Sequence, residues 1–167
     1  MTYFAEAYPH TLMQLRKNEA RREREMKHEV YPSFPIAPAG INITRLLTEM
    51  FNIVEPLSGN PKWFCQLPTP YYRFVAADSA AYKSCDEDVD PFKMGERAFH
   101  EMFCFVLQYL DNKWDIEKAS YMDFNRILKQ VKEDMVLLLS SAPPHTGLGW
   151  LRLHTGLFIH AHDLQSI

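Results

Sequence analysis

The chain has 167 residues, 47% of them hydrophobic and 13% aromatic, and a net charge of −3. That suffices for one folded domain with its own core, and the charge balance gives no drive toward nucleic acid. Cys65, Cys85 and Cys104 share no repeating spacing, which speaks against a disulfide framework and for a reducing cytoplasm.

The first residues carry no basic segment followed by a long apolar stretch, so no secretory signal is expected there. The longest apolar run, Met102 to Leu107, is far too short to span a bilayer. Thr2 to Tyr8 presents Tyr3, Phe4, Ala5 and Tyr8, too short a helix to stand alone. It either docks on the core or lacks its natural beginning.

Pro9 is expected to break this run, with a helix following from Thr11 to about His28. Leu12 and Leu15 would anchor its first half. Its second half is crowded with Arg16, Lys17, Arg21, Arg22, Arg24 and Lys27, against Glu19, Glu23 and Glu25. Glu23 can pair with Lys27 at i, i+4. The plain reading is a solvated helical face, and the alternative is a basic surface for an acidic partner or a membrane.

Tyr31 to Pro38 contains three prolines and is expected to be extended. Gly40-Ile-Asn-Ile-Thr44 would then open a third core helix through Ile43, Leu46, Leu47, Met50, Phe51 and Val54. Residues 55–90 read as a long irregular insertion. Pro56, Gly59, Pro61, Pro68 and Pro70 punctuate it, and Trp63, Phe64, Tyr71, Tyr72 and Phe74 make it sticky.

The strongest pattern follows. Phe99, Phe103, Val106, Leu107, Leu110 and Trp114 share one helical face, and Met102, Phe105 and Tyr109 form a second apolar stripe. A helix apolar over most of its circumference belongs at the centre of a domain. Asp90 is its expected N-cap and Pro91 its first residue. Ser120 and Asp123 offer a capping box for the next helix. There Phe124, Ile127, Leu128, Val131, Met135, Leu138 and Leu139 face inward, and Arg126, Lys129, Lys132 and Glu133 face outward. The short link predicts an antiparallel hairpin. After Ser140 two prolines stop the helix. The last stretch is apolar (Trp150, Leu151, Leu153, Leu157, Phe158, Ile159), but Gly147, Gly149 and Gly156 leave its class open.

Motif chemistry is thin. His100-Glu-Met-Phe-Cys104 starts like a zinc-protease helix but has Cys104 where the second His is needed. Asp86, Asp88 and Asp90 open like a calcium loop, yet Pro91 and Arg97 stand where Gly and Glu are required. His145, His154, His160 and His162 cluster without completing a metal set. There is no phosphate-cradling glycine loop and no recognisable nucleophile motif. These residues alone describe an α-helical interaction domain.

Three segments together resemble the ELMO domain: Tyr3-Phe-Ala-Glu-Ala-Tyr-Pro-His10, Pro35-Ile-Ala-Pro-Ala-Gly-Ile-Asn-Ile-Thr44, and Phe99 through Met135. The last includes Phe103-Cys-Phe-Val-Leu-Gln-Tyr-Leu-Asp-Asn-Lys-Trp114 and Tyr121-Met-Asp-Phe-Asn125. Their order and spacing are similar to the later half of that domain, over roughly residues 2–139 apart from the insertion.

The resemblance implies an all-helical fold that acts on small GTPases. One branch, the ELMOD proteins, is associated with activating Arf-family GTPases. The other belongs to larger scaffolds that work with DOCK-type exchange factors on Rac, in engulfment and actin control. The compact branch is the nearer comparison for a chain of this size. Its activating arginine lies in an earlier motif of Trp, Gly-Phe-Gln-Gly and Asp-Phe-Arg-Gly type. This sequence starts downstream of that motif, and the abrupt start at Thr2–Tyr8 favours truncation. Asp123-Phe124-Asn125-Arg126 resembles the motif only superficially, inside the second hairpin helix. The resemblance therefore carries over no catalytic, cofactor-binding or metal-binding residue. Arg45, Arg73 and Arg97 are the substitutes to consider for the missing charge.

The expected molecule is all-α: a compact helical domain with a central apolar helix, a C-terminal antiparallel hairpin and a long irregular insertion. Residues 1–140 form a partial ELMO-like domain, with the insertion at about 55–90, and residues 141–167 an extension. The expected function is small-GTPase regulation resembling the Arf-directed proteins, without the activating arginine. The alternative is a non-catalytic binding module for a GTPase or an exchange-factor partner. The expected partner is an Arf-family GTPase, or Rac through an exchange factor, and no nucleic acid, cofactor or transmembrane segment is expected. The expected place is the cytoplasm, peripheral at membranes through the GTPase.

Overall fold

The computed structural model describes residues 2–25, 34–51, 91–142 and 147–157. Among these the chain is helical, with no strand: α1 (Thr2–Ala7), α2 (Pro9–Glu25), α3 (Ile36–Met50), α4 (Pro91–Ile116), α5 (Phe124–Ser141) and α6 (Leu148–Thr155). A 3-10 turn, Tyr121–Asp123, joins α4 to α5.

α4 is the hub that the apolar spacing predicts. Met102, Phe105, Val106, Leu107, Leu110 and Trp114 are all buried, and α1, α3, α5 and α6 all pack against it. α5 runs antiparallel to it: Tyr109 and Lys113 meet Asp134, whereas Trp114, farther along α4, meets Phe124 at the start of α5. The inward face of α5 is the predicted one, with Ile127, Val131, Met135 and Leu139 buried. α3 contributes Ile43, Leu46, Leu47 and Met50. α3 meets the hub at Gly40, where a Cβ would make ordinary contact with the Phe103 ring at 3.6 Å.

Several boundaries differ from expectation. Pro9 does not delay α2 but begins it, because a proline in the first turn loses an N–H that has no intrahelical partner anyway. For the same reason α3 starts at Ile36 rather than Gly40, with Pro38 inside its first turn. α1 docks on the core through Phe4, while Tyr8, 2% exposed, closes the joint to α2. The C-terminal stretch, whose class the glycines leave open, contains a helix, α6. Gly149 is tolerated within it, and Gly156, at φ 69°, terminates it in the left-handed conformation. The Leu157 N–H returns to the Arg152 carbonyl there at 3.1 Å. Asp90, Val54, Lys27 and the 55–90 insertion lie outside the described residues.

The predicted capping box forms ahead of α5. The Ser120 N–H and hydroxyl both donate to Asp123 Oδ2, at 3.0 and 2.9 Å. These two bonds, with help from Arg126, hold the Asp123 carboxyl below the usual carboxylate range. A depressed carboxyl contributes stability above its unfolded pKa of about 4 and loses it as the pH falls through the lower folded value. Asp123→Asn is therefore expected to lower the melting temperature at pH 7. The gap from the parent should close as both are titrated toward pH 2, which thermal melts followed by circular dichroism would check.

Candidate functional site

The charged half of α2 is not uniformly solvated, which corrects the plain sequence reading. Arg22 is buried. Its Nη1 donates to Asp111 Oδ1 at 2.6 Å, its Nε to Asp115 Oδ1 at 2.7 Å and its Nη2 to the Asp111 carbonyl at 3.3 Å. Asn18 adds a bond to Asp111 Oδ2 at 2.8 Å. Burial alone would lower the Arg22 pKa, but the two carboxylates reverse this and raise it. Burial pushes Asp111 up against the pull of Arg22 and Asn18. Burial also raises Asp115, but Arg22 and Arg21 together outweigh it and hold that carboxyl low. The guanidinium also lies 5.4 Å over the Phe34 ring, which meets Trp114 edge-on. This clamp ties α2 and the chain before α3 to the hub.

A second polar cluster joins α1, α4 and α6. The Tyr3 and Tyr8 hydroxyls each donate to one oxygen of buried Glu101. Burial first, and then Glu101, pushes both phenols above their ordinary range. Burial and Glu101 likewise raise the Cys104 thiol, which is therefore an inert core group. Arg152 of α6 lies over the rings of Tyr8 and Phe105, at 5.7 and 5.8 Å, and donates to Gln108 at 3.0 Å. Its Nε and Nη2 find no hydrogen-bond partner among the described residues, and burial lowers its pKa despite Tyr8 and Glu101.

The residues that the sequence put forward do not converge. Arg45 is paired with Glu49 at 2.8 Å, and Arg126 with Glu117 at 2.5 Å and Asp123 at 3.1 Å. Arg97 is also engaged, and Arg73 lies outside the described residues. Of the zinc-like pair, His100 stacks on Tyr3 while Cys104 is buried. His154 stacks on Trp150. His145, His160, His162, Asp86, Asp88 and Asp90 lie outside the described residues. Among the described residues no three metal-binding side chains come together, and no helix is long and apolar enough to cross a membrane.

The described surface offers a groove of about 420 Å³ between α4, α5 and α6. Tyr109, Lys113 and Asp134 form its polar side: both Tyr109 and Lys113 donate to Asp134, at 2.9 and 2.6 Å. Its apolar side is Ile116 and Leu137, which are 71% and 69% exposed. With its charges paired internally, this groove suits contact with another macromolecule better than chemistry on a small molecule.

Comparison with known proteins gives a consistent picture. Engulfment and cell motility protein 3 of Mus musculus is 27% identical over 120 residues, 72% of this chain and 13% of the relative. Engulfment and cell motility protein 1 of Homo sapiens is 25% identical over 143 residues, 86% of this chain and 16% of the relative. ELMO domain-containing protein C of Dictyostelium discoideum is 28% identical over 102 residues, 61% of this chain and 14% of the relative. The chain thus spans a small fraction of the length of the curated relatives it matches. No solved structure matches it. The profile of the ELMO/CED-12 family matches residues 1–128, more than half of the sequence, and the chain belongs to that family.

Proposed function

We propose that this chain is a helical module that regulates a small GTPase by binding it, without supplying the charge that accelerates hydrolysis. The observation that carries this reading is the state of the arginines the sequence put forward. Of the substitutes Arg45, Arg73 and Arg97, Arg45 is held in an ion pair and Arg97 is engaged, as is Arg126 of the superficially similar motif, while Arg73 lies outside the described residues. An arginine finger accelerates hydrolysis by about 10³–10⁵, and a module without one binds more than it catalyses. An Arf-family GTPase is the first partner to test. Rac, reached through an exchange factor, is the second, and relatives named for engulfment and cell motility support that setting. Either partner would place the chain in the cytoplasm and bring it to membranes peripherally.

The groove of α4, α5 and α6 is the proposed contact, with Ile116 and Leu137 as apolar anchors. The test is titration calorimetry and single-turnover hydrolysis with GTP-loaded Arf and Rac, the latter with and without an exchange factor. Binding is expected with hydrolysis stimulated less than about 10-fold. Leu137→Asp should weaken binding at least about 10-fold, the loss expected of a central apolar anchor, with the melting temperature unchanged. Stimulation by several hundredfold would refute the non-catalytic reading. Absence of binding to either GTPase would refute the module altogether.

A further inference from the structure

We propose that the outer face of α2 is a docking surface for an anionic phospholipid bilayer. α2 has two unlike sides. Thr11, Leu12, Leu15 and Arg22 are buried toward the hub. On the opposite side Met13, Arg16, Lys17, Ala20 and Arg24 fall within about 100° of arc at 3.6 residues per turn. Arg16, Lys17 and Arg24 are exposed, and none of them makes an ion pair with another described residue. Arg24 directs its Nε to the Ala20 carbonyl of its own helix at 3.0 Å, leaving its charge uncompensated. No carboxylate lies within the arc, and Glu23 stands just off its edge.

The contrast with the neighbouring arginines is informative. Arg21 and Arg22, one step around the helix, are both satisfied by Asp115, and Arg22 by Asp111 as well. The fold thus neutralises the arginines that face it and leaves three cations outward, although the chain as a whole is at −3. Met13 lies at the centre of this arc and is 52% exposed. A flexible apolar side chain followed one turn on by Arg16 and Lys17, with Arg24 farther along the same face, fits a surface of anionic headgroups over acyl chains, which attracts the charges and admits the thioether.

The proposal needs no GTPase, and neither does its test. The full chain is sedimented with vesicles of phosphatidylcholine alone, or of phosphatidylcholine with about 30% phosphatidylserine. Binding is expected to the second kind only, and to fade as salt shortens the screening length. Each cation near such a surface contributes about fivefold to partitioning. The triple variant Arg16→Gln, Lys17→Gln, Arg24→Gln should therefore bind about 100-fold more weakly while melting like the parent. Arg45→Gln, which removes an exposed but paired charge on α3, should bind as the parent does. Equal binding to both vesicle kinds, or undiminished binding by the triple variant, would overturn the proposal. So would capture of an acidic peptide without vesicle binding, which would assign the face to an acidic protein.

Discussion

Arg22→Ala is expected to lower the free energy of unfolding by about 3–5 kcal/mol, the range for removing one partner of a buried ion pair. The side chains of Arg22 and Asp111 are only 4% and 6% exposed. Without the guanidinium, Asp111 keeps Asn18 as its remaining side-chain partner in this network and stays buried as a carboxylate whose partner is gone. Phe34 also loses the cation stacked on it. Arg21 gives the contrast within the same network: it reaches Asp115 at 2.8 Å but is 50% exposed. Arg21→Ala should cost no more than about 1 kcal/mol. Urea unfolding monitored by tryptophan fluorescence separates the two. A third variant, Arg22→Met with Asp111→Leu, tests the cause, because replacing both charges by apolar groups removes the desolvation penalty. It should recover most of the loss. Similar small effects for Arg21→Ala and Arg22→Ala would mean that the clamp does not hold α2 to the hub.

The clamp also shows where reading the sequence stopped short. A run of charges looks alike whether it faces water or a partner about ninety residues away, and local periodicity carries no information on that distance. A signal was present all the same. Arg22 stands seven residues after Leu15, on the buried side of α2, and Asp111 and Asp115 sit four apart on the hub. An arginine on an apolar stripe facing two carboxylates at i, i+4 spacing marks a buried pair. The hub itself was legible because its pattern is local: Phe103, Val106, Leu107, Leu110 and Trp114 repeat at helical spacing over three turns. The antiparallel hairpin followed from the short link and the Ser120–Asp123 box for the same reason.

The misplaced boundaries share one physical cause. Pro9, Pro38 and Gly156 look like breakers, but the effect of proline and glycine depends on position, as Pro91 at the expected start of α4 already shows. Pro9 and Pro38 sit in first turns, where a missing N–H costs nothing. Gly156 sits one residue past the end of α6, where a left-handed residue is needed to turn the chain. Read as start and stop marks, they bracket the helices that the structure contains. The polar cluster under α6 was less accessible, since Glu101 and Arg152 come together with Tyr3 and Tyr8 only after three helices pack. The candidate groove was legible in part. Its walls belong to the predicted hairpin, but its rim includes His154 and Thr155 from a helix the sequence reading did not recognise.

Leu107→Ala is expected to destabilise the fold by about 2–5 kcal/mol, through lost transfer energy and the cavity left behind. Leu107 is fully buried midway along the hub, and α1, α3, α5 and α6 are packed around that helix. Four elements closing on one rod leave little freedom for any one of them to move inward, and poor relaxation raises the cost at fixed chemistry. Helix propensity cannot account for the loss, since alanine is at least as good a helix former as leucine. Leu153 on α6 is the matched control: also leucine in a helix but 66% exposed. Leu153→Ala should change stability by no more than about 0.5 kcal/mol. Leu107→Met, which roughly conserves volume, should cost less than about 1.5 kcal/mol. The measurement is the urea midpoint at constant slope, because an altered slope would report a change in the unfolded or native ensemble rather than in packing. If Leu107→Ala shifts the midpoint no further than Leu153→Ala, the hub does not bear on folding as its burial requires. If Leu107→Met costs as much as Leu107→Ala, shape at that site matters more than the volume it fills.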